Sequence, residues 1–175
     1  LMGQVRTMLR QADLDHPDHG PARIFMAFER ANRELGLDAS GTMVHAHLKP
    51  DPRGWLFTWT NAGHPGPLVA LRNGDTHQLT EHDLLFHPAL PAHLRTDHQW
   101  LLEPGSTLLM FTDGLIEHRH GDMDVALAHT ASMLGSGRHE PLPELLRSIA
   151  ATNVGEERGD DVVLLAVRLA ETAPL

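Results

Sequence analysis

The sequence contains no cysteine. That excludes a disulfide scaffold, thiolate metal sites and every mechanism built on a cysteine nucleophile. Also missing is any apolar run approaching the roughly 20 residues needed to cross a bilayer, and the first residues lack the charged-then-apolar build of a secretion signal. The cytoplasm is the expected compartment. Positive charge is sparse, with 14 Lys and Arg against 23 Asp and Glu and a formal net charge of −9. Nucleic-acid phosphates demand a basic face, so a nucleic-acid partner is not expected. Nor is there a G-x-S-x-G elbow, a P-loop or a G-x-G-x-x-G turn.

What is present is a chain of 175 residues, 41% hydrophobic, long enough for one domain with a sizeable core. Met2, Val5, Leu9 and Ala12 recur at helical spacing, predicting a helix over residues 1 to 12 that ends in the polar stretch 13 to 20. Leu1-Met2-Gly3-Gln4-Val5 reads as helix interior with no capping residue, so a piece of a longer chain is expected. Pro21 opens a second helix with Ile24, Phe28, Ala31 and Leu35 as its apolar stripe and Gly36 at its stop. Residues 42 to 48 alternate, with Val44, Ala46 and Leu48 on one face and Met43, His45 and His47 on the other.

Residues 55 to 60 alternate again, and Asn73-Gly74 marks a tight hairpin. Residues 42 to 79 therefore read as one antiparallel meander, and residues 100 to 102 are expected to pair with the strand that follows them. Two helical patterns come next, the first with Leu127, Ala131 and Leu134, the second with Leu142, Leu145, Leu146, Ile149 and Ala150. Helices, a meander, helices and one returning strand make an α+β fold.

The candidate chemistry sits at two strand ends. Residues 107 to 112 carry no charge, as suits a strand covered on both faces, and they run into Asp113-Gly114, where glycine permits a sharp turn. Gly159-Asp160-Asp161 stands at the start of a second apolar strand, residues 162 to 167. If the two run antiparallel as neighbours, Asp113 and Asp160 converge on one edge. Paired carboxylates suit a hard cation such as Mg²⁺ or Mn²⁺, although each alone also fits a solvated turn.

Three blocks resemble the PPM-type metal-dependent Ser/Thr protein phosphatases, in the bacterial SpoIIE/RsbU-like branch. They are Asn61-Ala62-Gly63-His64-Pro65-Gly66-Pro67-Leu68, Phe111-Thr112-Asp113-Gly114-Leu115-Ile116-Glu117 and Asp160-Asp161-Val162-Val163-Leu164-Leu165. The likeness covers residues 1 to 169, leaving 170 to 175 as a tail. It implies a four-layer α-β-β-α sandwich of antiparallel sheets with a dinuclear Mn²⁺ or Mg²⁺ centre at one end. By the resemblance Asp113 and Asp160 are catalytic metal ligands, and Asp161 either takes the place of Asp160 or supports it. Gly63, His64 and Gly114 would shape the backbone near the site.

The implied reaction is hydrolysis of phosphoserine or phosphothreonine by a metal-bridging hydroxide, on a regulatory protein such as an anti-sigma-factor antagonist. The absence of cysteine agrees with this chemistry. The family's further acidic ligands precede its first helix, and this sequence begins after them, so weak metal binding and little activity are expected of these residues alone. An upstream PAS-like or GAF-like sensory domain and a homodimer are implied by analogy. The turn at Pro88-Ala89-Leu90-Pro91 departs from the family's usual Leu-Gly.

Two other readings compete. One is a catalytically inactive PPM-like binding module. The other uses the histidines, of which there are 14, through His45-x-His47, His118-x-His120 or His16 with His19. A zinc site needs third and fourth ligands, and the sequence alone does not supply them.

Overall fold

The computed structural model describes residues 1–116, 122–153 and 161–170. In chain order its elements are α1 (Met2–Asp15), α2 (Pro21–Glu34), β1 (Met43–Asp51), β2 (Gly54–Ala62), β3 (Leu68–Ala70), β4 (Thr76–Gln78), β5 (His98–Leu102), β6 (Thr107–Phe111), a 3₁₀ turn (Asp113–Leu115), α3 (Met123–Ser136), α4 (Leu142–Asn153) and β7 (Leu164–Arg168). They form two sheets, ordered β1-β2-β5 and β4-β3-β6-β7. The chain divides into two compact units, the first from residues 1–50, 56–64 and 81–101, the second from 51–55, 65–80 and 102–175.

In the first unit α1 and α2 pack together through Val5, Leu9, Ile24, Phe25 and Phe28, with Ala39, Ala62 and Phe86 completing the cluster. Burying each large side chain contributes about 1.5–3 kcal/mol, so this cluster adds substantially to the unit's stability. Helix α1 runs to Asp15, past the end expected from its polar residues. Helix α2 starts at Pro21 as its fixed φ favours, and Gly36 beyond its end takes φ 61°. Its buried face is Ile24, Phe25, Phe28, Glu29 and Asn32, while Leu35 is exposed. The N-terminus of α2 is capped from a distance: Asp97 Oδ1 accepts the Ala22 amide at 2.7 Å, putting negative charge where the helix dipole wants it.

Burying Glu29 and Asn32 requires partners, and both have them. The Arg95 guanidinium grips Glu29 with bonds of 2.7 and 3.1 Å, lies 5.0 Å from the Phe25 ring centroid and also donates to the Leu84 carbonyl. Asn32 both donates to the Ala39 carbonyl and accepts its amide, at 2.7 and 3.1 Å.

In the second unit, β6 lies between β3 and β7 and is antiparallel to both, with Leu109 opposite Leu68 on one side and Ala166 on the other. That central place explains its uncharged sequence, buried at Thr107, Leu108, Leu109 and Phe111. Helix α3 packs on β3 and β4, and α4 on β7, closing a core of Leu68, Leu109, Phe111, Leu134, Leu145 and Ile149. Arg168 ties β7 to this layer: it donates to the Thr107 hydroxyl at 3.0 Å, the Gly137 carbonyl at 3.2 Å and the Glu140 carbonyl.

Two expectations about pairing fail. Residues 42 to 79 are not one meander, because β1 and β2 belong to one sheet and β3 and β4 to the other. Strand β5 does not pair with β6; it joins β2, and both edges of β6 are taken by β3 and β7. The turn at residues 103 to 106, closed by the Ser106 amide on the Glu103 carbonyl with Gly105 at φ 84°, carries the chain from one sheet to the other instead of folding a hairpin.

Candidate metal and phosphate site

The site expected from the sequence lies where β6 ends and β7 begins, and these strands are antiparallel neighbours in register Phe111 with Leu164. Pairing continues past the strands: the Thr112 amide donates to the Val163 carbonyl at 3.1 Å. The Thr112 hydroxyl accepts the Val163 amide and donates to the Asp161 carbonyl, each at 2.9 Å. Asp161 is thereby drawn to the residue that precedes Asp113. Asp161 is exposed and Asp113 half-buried; Asp160 lies outside the described residues.

The chain turns at Asp113 in a single 3₁₀ turn. Gly114 is not a left-handed pivot; it sits inside the 3₁₀ turn, closed by Leu115 N–H to the Thr112 carbonyl and Ile116 N–H to the Asp113 carbonyl at 3.0 and 2.9 Å. Buried Leu115 and Ile116 anchor that turn in the core. Asp113 Oδ1 accepts the Gly114 amide at 3.0 Å, which fixes the carboxylate and leaves Oδ2 without a partner among the described residues. Hard, half-buried carboxylate oxygen fits Mg²⁺ or Mn²⁺ in donor type. Among the described residues no third histidine or acid completes a metal cluster with Asp113.

Gly63 and His64 belong to the first unit, whereas Asp113, Gly114 and Asp161 belong to the second. Asn61 folds its side chain over the loop, donating to the His64 carbonyl and accepting its amide, both at 2.8 Å. Gly63 stands at φ 70°, and a Cβ there would meet the Leu85 amide nitrogen at 3.0 Å. The glycine is thus required by backbone geometry. His64 Nδ1 lies 3.0 Å from the Thr42 hydroxyl.

Over residues 1–170 the chain matches the family of Stage II sporulation protein E, SpoIIE. The chain belongs to the SpoIIE family. No curated protein matches it significantly by sequence. Among solved structures, the RsbU and RsbW domains of Rv1364c from Mycobacterium tuberculosis match with TM-score 0.82 at 23% identity, covering 99% of this chain and 48% of that one. The PP2C phosphatase domain with a regulatory fragment of SpoIIE from Bacillus subtilis matches with TM-score 0.69 at 12% identity, over 95% of this chain and 50% of that one. The catalytic domain of the serine threonine protein phosphatase PstP, in complex with 2 manganese ions, matches with TM-score 0.58 at 14% identity, over 95% of this chain and 80% of that one. This SpoIIE-family chain therefore has the PPM phosphatase fold, and it spans about half the length of the first two of these structures.

Of the histidine sets, His118 and His120 lie outside the described residues, and His16 and His19 stack at 4.7 Å between ring centroids. These two line a groove of about 550 Å³ together with Arg23, Arg30, Arg33 and His93. His45 and His47 do meet a third group, Asp13, which sequence reasoning passed over as part of a helix-ending polar stretch. Burial, opposed by the nearby Asp13 carboxylate, holds the His45 imidazole below its ordinary value. Among the described residues no helix is long and apolar enough to cross a membrane.

Proposed function

We propose that this SpoIIE-family domain serves a metal-dependent protein serine/threonine phosphatase, with Asp113 and Asp160 as carboxylate ligands and Asp161 beside them. The observation that carries the proposal is the junction of β6 and β7, where Thr112 binds the Asp161 carbonyl and the Val163 amide next to Asp113. Bound there, divalent cations supply an activated water and neutralise phosphoryl charge. The chain's own part is to hold Asp113 rigid through the Gly114 amide and the anchored 3₁₀ turn, and to keep the start of β7 against the end of β6. A ligand fixed in this way spends little free energy on ordering when the ion arrives.

The substrate proposed is a phosphoserine or phosphothreonine on a bacterial regulatory protein, such as an anti-sigma-factor antagonist, in the cytoplasm. An attached sensory domain and a homodimer belong to the same proposal. The likeness to the catalytic domain of the serine threonine protein phosphatase PstP, in complex with 2 manganese ions, supports both the reaction class and the metal.

Hydrolysis of p-nitrophenyl phosphate and of a phosphoserine peptide with Mn²⁺ tests the reading. The 175-residue chain is expected to turn over weakly, because Mg²⁺ and Mn²⁺ take about six oxygen ligands and the acids named are too few. A longer form that adds further acidic ligands is expected to be active. Metal-independent turnover, or none in that longer form, overturns the proposal and in the second case favours a non-catalytic binding module.

A further inference from the structure

A second cluster lies within the first unit, apart from the phosphatase reading. Strand β1 alternates, so His45 and His47 project from the same face, and their rings meet edge to face at 5.5 Å between centroids. The last turn of α1 brings Asp13 against them. His47 Nε2 lies 2.9 Å from Asp13 Oδ1 and His45 Nε2 lies 3.5 Å from Asp13 Oδ2. One ligand atom from each of the three residues lies within 4.8 Å of the others.

The pair His47 and Asp13 makes a hydrogen bond, but His45 Nε2 is withdrawn from water and makes none. A buried polar atom in that state is costly and needs an explanation. The side chains of His45 and His47 are only 15% and 19% exposed, while Asp13, at 34%, leaves the cluster open to solvent on one side. In a tetrahedral zinc site with bonds near 2.0 Å, neighbouring ligand atoms stand about 3.3 Å apart. Each imidazole faces its own Asp13 oxygen, His47 at 2.9 Å from Oδ1 and His45 at 3.5 Å from Oδ2, so a small rotation of the carboxylate brings one oxygen to that spacing from both rings.

We propose that Asp13, His45 and His47 form a zinc site that joins the end of α1 to β1, with water as the fourth ligand. Two imidazoles and a carboxylate suit Zn²⁺ better than Mg²⁺ or Ca²⁺, which prefer oxygen throughout. An ion here gives the His45 nitrogen a direct bond in place of its long 3.5 Å contact with Asp13. Asp97, whose carboxylate also acts on His45, adds negative charge in the vicinity. The site shares no residue with Asp113, Asp160 and Asp161, so it stands or falls separately from the phosphatase reading.

The test is titration of the metal-free chain with Zn²⁺ against a chromophoric chelator, with Co²⁺ as a spectroscopic substitute. One tight equivalent is expected, with the intense visible bands of tetrahedral Co²⁺. Each of His45→Ala, His47→Ala and Asp13→Ala should weaken Zn²⁺ binding by about 100-fold or more, whereas Asp113→Asn should leave it unchanged. At 100 times Kd, zinc should raise the melting temperature of the wild-type chain by about 5–10 °C. If His45→Ala fails to fold, the partly exposed Asp13→Asn and His47→Gln decide. A pale octahedral Co²⁺ spectrum, retention of tight binding in the His47 variants, or its loss in His16→Ala/His19→Ala instead overturns the site.

Discussion

The Thr112 hydroxyl donates to the backbone carbonyl of Asp161 at 2.9 Å while accepting the Val163 amide at the same distance. One side chain at the end of β6 thus takes over the cross-strand bonding that a regular ladder would provide, just ahead of Asp113 and just before β7 begins. Thr112→Val keeps the shape and removes both bonds. It should lower stability by about 1 kcal/mol, since the bonds lie near solvent, and speed amide exchange at Val163. Thr112→Ser should do neither. Urea melts with hydrogen exchange check both, and unchanged exchange in the valine variant would show that Thr112 does not hold the start of β7.

Asp113→Asn keeps the volume of the side chain and its acceptor oxygen for the Gly114 amide, so the 3₁₀ turn should survive. It removes the anionic oxygen that a hard cation requires. In whichever form of the protein hydrolyses p-nitrophenyl phosphate with Mn²⁺, the rate should fall by about three orders of magnitude or more with a melting curve like that of the wild type. A loss of tenfold or less would take Asp113 out of the metal site.

The end of β6 was readable from residue types: an uncharged run closing on Asp-Gly and an apolar run opening on Asp-Asp fit two antiparallel neighbours, and β6 and β7 are such a pair, with β7 at the edge of the sheet. The sheet membership of β5 was not. His98, Gln99 and Trp100 show no pattern that distinguishes pairing with β6 from pairing with β2, and a four-residue turn with glycine serves a hairpin or a crossing between sheets equally well. Phe25 and Glu29 were missed on α2 because its buried face is wider than a single stripe, and Glu29 is buried only because Arg95, 66 residues away in sequence, neutralises it. Asp13 escaped notice for a related reason: helix α1 continues beyond its apolar pattern to Asp15, and only the packing of the helix end on β1 reveals what the acid faces.

The Glu29–Arg95 pair carries a prediction of its own. Arg95 has no exposed side-chain surface and Glu29 only 9%, so neither charge has water to turn to. Arg95→Met should cost about 3–5 kcal/mol, mostly from the stranded Glu29 carboxylate. Adding Glu29→Leu should recover most of that loss, because an apolar pair of similar volume leaves no buried charge. Denaturant melts of the two single variants and the double variant check this. A double variant as unstable as the sum of the singles would mean that the ion pair is not what holds α2 to the segment around Arg95.

Two glycine replacements should act with opposite sign. An alanine Cβ at Gly66 would collide with the Leu79 carbonyl oxygen, a backbone atom that cannot swing aside, at the point where the Leu79 amide bonds the Pro67 carbonyl at 2.9 Å. Gly66→Ala must therefore push β4 away from β3 and should cost about 2 kcal/mol or more. Gly3 lies in α1 with nothing within 4 Å of the added carbon, so Gly3→Ala only reduces the freedom of the unfolded chain. It should add about 0.5–1 kcal/mol, less if the first turn frays. Thermal melts of the two variants under one buffer compare them directly, and a neutral Gly66→Ala would mean that the approach of the Leu79 carbonyl to Gly66 is not needed for β3 and β4 to pair.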